Sequence, residues 1–180
     1  MTCIVGVVDN GRVVIGGDSA GSDGWHIEIR ADSKVFTVGP YAMGFTTSFR
    51  MGQLLRYQLK VGAPDTWDVD RFMSTTFVDA VRTCLKDGGW AKDDSGREVG
   101  GKFLVGVGGR LYTIDSDYQI GVSSCGYAAV GSGYLAALGA LYATPDRPAA
   151  ERVDVALLAA AHLTDSVRAP FMTVETGAVA

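Results

Sequence analysis

Histidine is scarce in this chain: His26 and His162 are the only two among 180 residues, and they lie far apart. A His-built zinc site or a Ser-His-Asp triad has little material here, although a role for one His stays open. Cysteine is also sparse. Cys3, Cys84 and Cys125 form no CxxC pair, and an odd count argues for a reducing compartment and against a disulfide framework. No dense basic block appears, and the net charge of −4 speaks against a nucleic-acid partner. Apolar stretches are broken by Gly, Asp, His or Arg before they reach membrane-span length. The N-terminus has no basic segment followed by an apolar one, so it does not read as a signal peptide. The expectation is a soluble cytoplasmic protein with no membrane partner and no cofactor or metal.

What is present is an ordinary globular balance, with 47% hydrophobic and 20% charged residues. The length predicts one domain over residues 1–180. The 24 glycines fall mostly at apparent turns, which suggests tight hairpins. Directly behind Met1 stands a hydroxyl residue, Thr2, at the head of the β-branched run Cys3-Ile4-Val5-Gly6-Val7-Val8. Once Met1 is removed, Thr2 carries a hydroxyl nucleophile and a free α-amine on one residue. That amine has a reference pKa of roughly 7.7–8.0, so part of it is neutral near pH 7 and can accept the hydroxyl proton. No catalytic His is then needed.

Residues 3–9 and 12–17 read as two strands joined at Asn10-Gly11, a pair that favours a type I′ turn. Residues 18–24 read as a loop and 25–30 as a short strand. Strands are expected over 34–38 and 41–45. Ser48 has N-cap character for a helix over 49–59, and a second helix is expected over 69–85, ended by Gly88-Gly89. Residues 62–68 read as a linker and 90–101 as an exposed loop. A hairpin over 102–107 and 110–115, a strand over 118–122, helices over 134–143 and 149–163, and a strand over 170–174 complete the chain. Two strand groups and two helix pairs predict a four-layer αββα sandwich in the α+β class, with a two-layer α+β fold as the alternative.

The spacing of Thr2, Asp18 and Lys34, with Val14-Ile15-Gly16-Gly17-Asp18-Ser19 and Lys34-Val35-Phe36 around the last two, resembles the N-terminal nucleophile (Ntn) hydrolases of the proteasome β-subunit and HslV type. Gly131-Ser132-Gly133, ahead of a small-residue helix, resembles that family's Gly-Ser-Gly segment. The resemblance implies a threonine peptidase acting on peptides or unfolded chains, assembled as a homo-oligomeric ring; whether an ATPase feeds it stays open. It also implies roles. Thr2 is the nucleophile, and Lys34 lowers its pKa while Asp18 pairs with Lys34. Ser132 and Asp165 support the N-terminus, with Arg168 standing where the family has a Ser. The Ser48 backbone N–H is the oxyanion donor. The pocket for the residue before the cut includes Gly21, Asp32, Thr46 and Arg50. Because an unpaired charge in a partly dry pocket is costly, Asp32 and Arg50 are expected to pair and leave a pocket for apolar side chains; a free Arg50 would favour acidic ones. Apart from the resemblance, alternation along the first strand turns Cys3 away from Thr2 into the core. His26 is expected to be half-buried, and His162 to pack or cap a helix. The rivals are a small-molecule amidohydrolase and a non-catalytic ring subunit.

Overall fold

Asn10 and Gly11 both take positive φ, 48° and 77°, the pairing a type I′ turn requires. The turn fixes the register of β1 (Cys3–Asp9) on β2 (Arg12–Gly17), with Ile4 opposite Gly17 and Asp9 opposite Arg12. The computed structural model describes residues 2–64, 68–94 and 96–176. β2 pairs on its other edge with β13 (Met172–Glu175), and β1 pairs on its other edge with β12 (Tyr127–Gly131). The resulting sheet has the order β12-β1-β2-β13. A second sheet has the order β11-β10-β9-β6-β5, from β5 (Val35–Val38), β6 (Tyr41–Phe45), β9 (Phe103–Val107), β10 (Arg110–Ile114) and β11 (Ile120–Val122). All pairings in both sheets are antiparallel.

Strand alternation sorts the core into three layers. Ile4, Ile15, Val35, Ala42, Leu104 and Leu111 meet between the two sheets. Cys3, Val5 and Val7 face the other way, onto α4 (Tyr134–Tyr142) and α5 (Ala149–Leu163), where Ala137, Leu141, Val153 and Leu157 cover them. Tyr41, Met43, Phe45, Phe103 and Val105 face α1 (Phe49–Tyr57) and α3 (Val78–Asp87) through Met51, Leu54, Leu55 and Val81. The order helices, sheet, sheet, helices is the predicted αββα sandwich, and the two-layer alternative falls.

Four local expectations change. The loop expected over 18–24 contains β3 (Ala20–Ser22), which pairs with β4 (Ile27–Ile29), the shortened form of the strand expected over 25–30. β4 is exposed along its whole length, so its alternating residues mark a projecting hairpin and not a core strand. The loop expected over 90–101 contains a hairpin of β7 (Lys92–Asp94) and β8 (Arg97–Val99). The helix expected over 69–85 begins as α2 (Val69–Phe72), widens into a π turn over Met73–Phe77 and continues as α3. From the π turn the Thr75 hydroxyl donates back to the Arg71 carbonyl at 2.7 Å. The linker expected over 62–68 lies partly outside the described residues.

Candidate active site

Three element ends converge on one point. Thr2 precedes β1, Asp18 follows β2 and Lys34 precedes β5. The β1–β2 register brings Asp18 beside Cys3, whose N–H donates to Asp18 Oδ1 at 3.0 Å. The Ala20 N–H donates to Asp18 Oδ2 at 3.0 Å. Lys34 crosses from the second sheet, and its Nζ donates to Asp18 Oδ1 at 2.9 Å and to Thr2 Oγ1 at 3.0 Å. Thr2, Asp18 and Lys34 are 6%, 1% and 2% exposed, so this ion pair is out of water. Burial lowers the Lys34 pKa, and the Asp18 carboxylate opposes that shift. An ammonium held against a hydroxyl oxygen can stabilise negative charge on that oxygen.

Cys3, next to the hydroxyl in sequence, is fully buried on the opposite face of β1. Burial, and then the Asp18 carboxylate, push its thiol up to about 12, so it is not a nucleophile near neutral pH.

On the other side of Thr2 lies the turn after β12. Gly131 has φ of 99°, and a Cβ there would sit 2.1 Å from the Thr2 carbonyl oxygen. Only glycine allows this approach. It brings Ser132 within reach: the Thr2 nitrogen donates to Ser132 Oγ at 3.2 Å, and that hydroxyl reaches the Thr2 carbonyl at 3.3 Å. The second hydroxyl at this place is Ser166, 1% exposed and 3.3 Å from Ser132 Oγ. Asp165, predicted here, is exposed. Arg168 turns its Nη1 onto the Thr164 and Val167 carbonyls at 3.0 and 2.8 Å, tying down the end of the helical turn. The side chain that stands beside Ser132 is that of Ser166. Nothing in Asp165-Ser166-Val167-Arg168 signals that the serine turns inward.

A cleft of about 280 Å³ opens beside Thr2. Gly21 and Thr46 line it. Asp32 and Arg50 do not line it, and they do not pair with each other. Asp32 takes a fork from Arg30, with Nε and Nη2 each at 2.8 Å from its two oxygens, and this holds its carboxyl below the usual range. Arg50 reaches the Gly88 carbonyl at 3.5 Å, at the C-terminal end of α3, where a helix favours a cation. The arginine of the cleft is Arg30, whose guanidinium stacks 4.1 Å above the Phe49 ring. Its stem fills the space that a side chain at Gly21 would need, since a Cβ there would meet Arg30 Cδ at 2.8 Å. His26 also reaches this cleft from the β3–β4 hairpin and is exposed, not half-buried. His162 is exposed in the last turn of α5.

Ser48 caps α1 as predicted, its hydroxyl accepting from the Arg50 N–H at 3.1 Å. Its own N–H is not directed at the cleft. It donates to the Thr46 carbonyl at 2.7 Å, across Thr47 at φ of 68°. Among the described residues no group of three or more His, Cys, Asp or Glu could hold a metal ion. No helix among them is long and apolar enough to cross a membrane.

No family model matches this sequence, and no curated protein sequence does. Solved structures match its shape. BPH from Thiobacillus denitrificans, in complex with epoxomicin, superposes with a TM-score of 0.82 at 22% identity, covering 99% of this chain and 100% of that one. HslV from Trypanosoma brucei gives 0.70 at 18% identity, with 97% and 98% covered. Anbu, the ancestral beta-subunit from Yersinia bercovieri, gives 0.67 at 13% identity, with 97% and 81% covered. In shape, layer order and strand connection the chain has the Ntn-hydrolase fold of the proteasome and HslV type.

Proposed function

We propose that this chain is a threonine-type peptidase whose nucleophile is the Thr2 hydroxyl. The observation that carries the reading is the buried contact of Lys34 Nζ with both Thr2 Oγ1 and Asp18 Oδ1, at 3.0 and 2.9 Å, in a cleft wall. In this reading Met1 is removed and the neutral Thr2 α-amine, oriented by Ser132 and Ser166, takes the proton from Oγ1. Oγ1 bonds to the peptide carbonyl carbon, and the π electrons move to the oxygen. The Lys34 ammonium lowers the energy of the attacking alkoxide, and the Ser48 N–H receives the oxyanion. Collapse breaks the C–N bond, and the amine leaves with the proton held by the α-ammonium. Water then attacks the ester, gives its proton back through the same amine, and frees Thr2. Asp165 has no part in these steps.

The substrate is a peptide or an unfolded chain, and the assembly is a homo-oligomeric ring. Support for assembly comes from the HslV and Anbu likenesses and from the outer helices. Tyr134, Leu135 and Tyr142 on α4, with Leu158 and Leu163 on α5, are exposed apolar side chains. Epoxomicin, the compound in the Thiobacillus denitrificans complex, is the direct probe. The expected result is a covalent adduct mapped by mass spectrometry to the peptide beginning at Thr2, and hydrolysis of fluorogenic peptides that Thr2→Ala abolishes without loss of fold. Wild-type turnover in Thr2→Ala would end this reading.

A further inference from the structure

The segment Thr46-Thr47-Ser48 is closed on itself. The Ser48 N–H bonds to the Thr46 carbonyl at 2.7 Å, a three-residue γ-turn with Thr47 at φ of 68° at its centre. A β-branched residue at positive φ is a genuine outlier and persists only where its surroundings over-determine it. The surroundings include one residue, Lys102, whose backbone meets the turn three times. Its carbonyl accepts from the Thr46 N–H at 3.0 Å and from Thr46 Oγ1 at 2.8 Å. Its N–H donates to Thr47 Oγ1 at 3.3 Å, and the two threonine hydroxyls lie 3.1 Å apart. The donor assignments close only one way. Thr46 Oγ1 gives its proton to the Lys102 carbonyl, so Thr47 Oγ1 gives its own to Thr46 Oγ1 and accepts from the Lys102 N–H. The result is a hydrogen-bonded ring of two hydroxyls and one backbone residue, and it locks Thr47 in the strained conformation.

Thr2, Thr46, Thr47 and Ser48 all line the same cleft. The locked turn therefore withholds from that cleft the N–H that the mechanism assigns to the oxyanion. We infer that Thr47 is a positioning residue that holds the oxyanion donor withdrawn until the turn opens, and that this lock limits turnover. The inference rests on the threonine-peptidase reading of the site. When the tetrahedral intermediate forms, its oxygen replaces the Thr46 carbonyl as acceptor, and Thr47 moves to negative φ. The strain in the closed turn favours that exchange, and the hydroxyl ring opposes it.

The test separates strain from lock. Thr47→Val keeps the branched Cβ, and so the strain, but removes the hydroxyl from the ring. Expected are faster hydrogen exchange at the Ser48 amide in the free protein and a rise in kcat on the order of fivefold, the equivalent of one hydrogen bond, with KM little changed. Thr46→Val cuts the ring at its other hydroxyl and is expected to do the same, which covers the case in which Thr47→Val folds poorly. Thr47→Ser keeps the hydroxyl and removes the branch, so its kcat should stay at or below wild type. Unchanged Ser48 exchange in both valine variants would overturn the lock. Faster exchange without faster turnover would overturn the claim that the lock limits turnover. A wild-type chain that neither cleaves peptides nor takes epoxomicin defeats the peptidase reading itself; a wild-type chain that does both, beside valine variants that are no faster, defeats only the role of Thr47.

Discussion

Replacing Lys34 by Met removes one charge from a site that water does not reach. The methionine keeps most of the stem and deletes the two contacts of Nζ, to Thr2 Oγ1 at 3.0 Å and to Asp18 Oδ1 at 2.9 Å. Breaking a buried ion pair by removing one partner costs about 3–5 kcal/mol, because the other charge is left uncompensated. Asp18 keeps the Cys3 and Ala20 N–H groups on its two oxygens, so the lower end, about 3 kcal/mol, is expected. For a chain of this size each kcal/mol moves Tm by about 2–4 °C, which gives a fall of roughly 6–12 °C. The rate should fall by about 10²–10³, the loss usual for one donor aimed at developing charge. The double variant Asp18→Asn/Lys34→Met separates the two effects. Neutralising position 18 removes the unpaired charge and recovers part of the Tm. Recovery is incomplete, because an amide has one oxygen and turns its NH₂ toward one of the two backbone donors. Activity should not recover at all. Thermal unfolding and fluorogenic-peptide hydrolysis read both quantities. A Tm within 2 °C of wild type and turnover within about threefold would refute the reasoning, since a buried, coupled ammonium cannot be deleted that cheaply.

Three further outcomes are expected. The Lys34 pKa is depressed below its usual 10.5 by burial, so hydrolysis should fall as the pH rises through that lowered value. Between it and 10.5 the unfolded chain binds more protons than the folded one, so the contribution of Lys34 to stability rises with pH in the window where activity falls; the difference between wild type and Lys34→Met in pH-dependent unfolding checks the sign. Arg30 is already engaged by Asp32 and stacked on Phe49, so the cleft should prefer Leu or Phe over Glu before the cut; a preference for Glu that Arg30→Ala removes would show instead that Arg30 reads substrate charge. Ser166→Ala should lower kcat by about tenfold and shift the acidic limb of the pH profile, because its hydroxyl lies beside the group that orients the Thr2 nitrogen; an unmoved profile would make Ser166 merely structural.

The positions of Thr2, Asp18 and Lys34 could be read from the chain because each stands at the end of a strand whose register is set locally. The Asn10-Gly11 turn fixes β1 against β2, and alternation then decides that Cys3 faces the helices while its neighbour faces the cleft. Ser132 was legible for a similar reason, a glycine-flanked turn directly after a strand. Ser166 was not. It lies on a turn after a long helix, where no period carries over to say which side chain turns inward. Arg30 was missed in favour of Arg50 because helix position says which way Arg50 starts, but not that the carbonyl end of α3 draws it off. The closed turn at Thr47 was beyond reach, since nothing in Thr-Thr-Ser announces positive φ. The hydroxyl ring that enforces it depends on Lys102, more than fifty residues away.

One consequence follows from the place of β1 inside its sheet. Chain ends usually fray first, but the strand behind Thr2 is laced on both edges, with Cys3 opposite Gly131 and Ile4 opposite both Gly17 and Val130. An exopeptidase working inward must draw the leading residues into its own groove as a free extended segment. From Thr2 onward no such segment exists, because loosening Cys3 means unzipping the middle of a four-stranded sheet. In the proposed reading, trimming of the folded protein is expected to halt at the threonine. The sheet would then act as a ruler that sets which amine becomes the terminus and preserves it against further shortening.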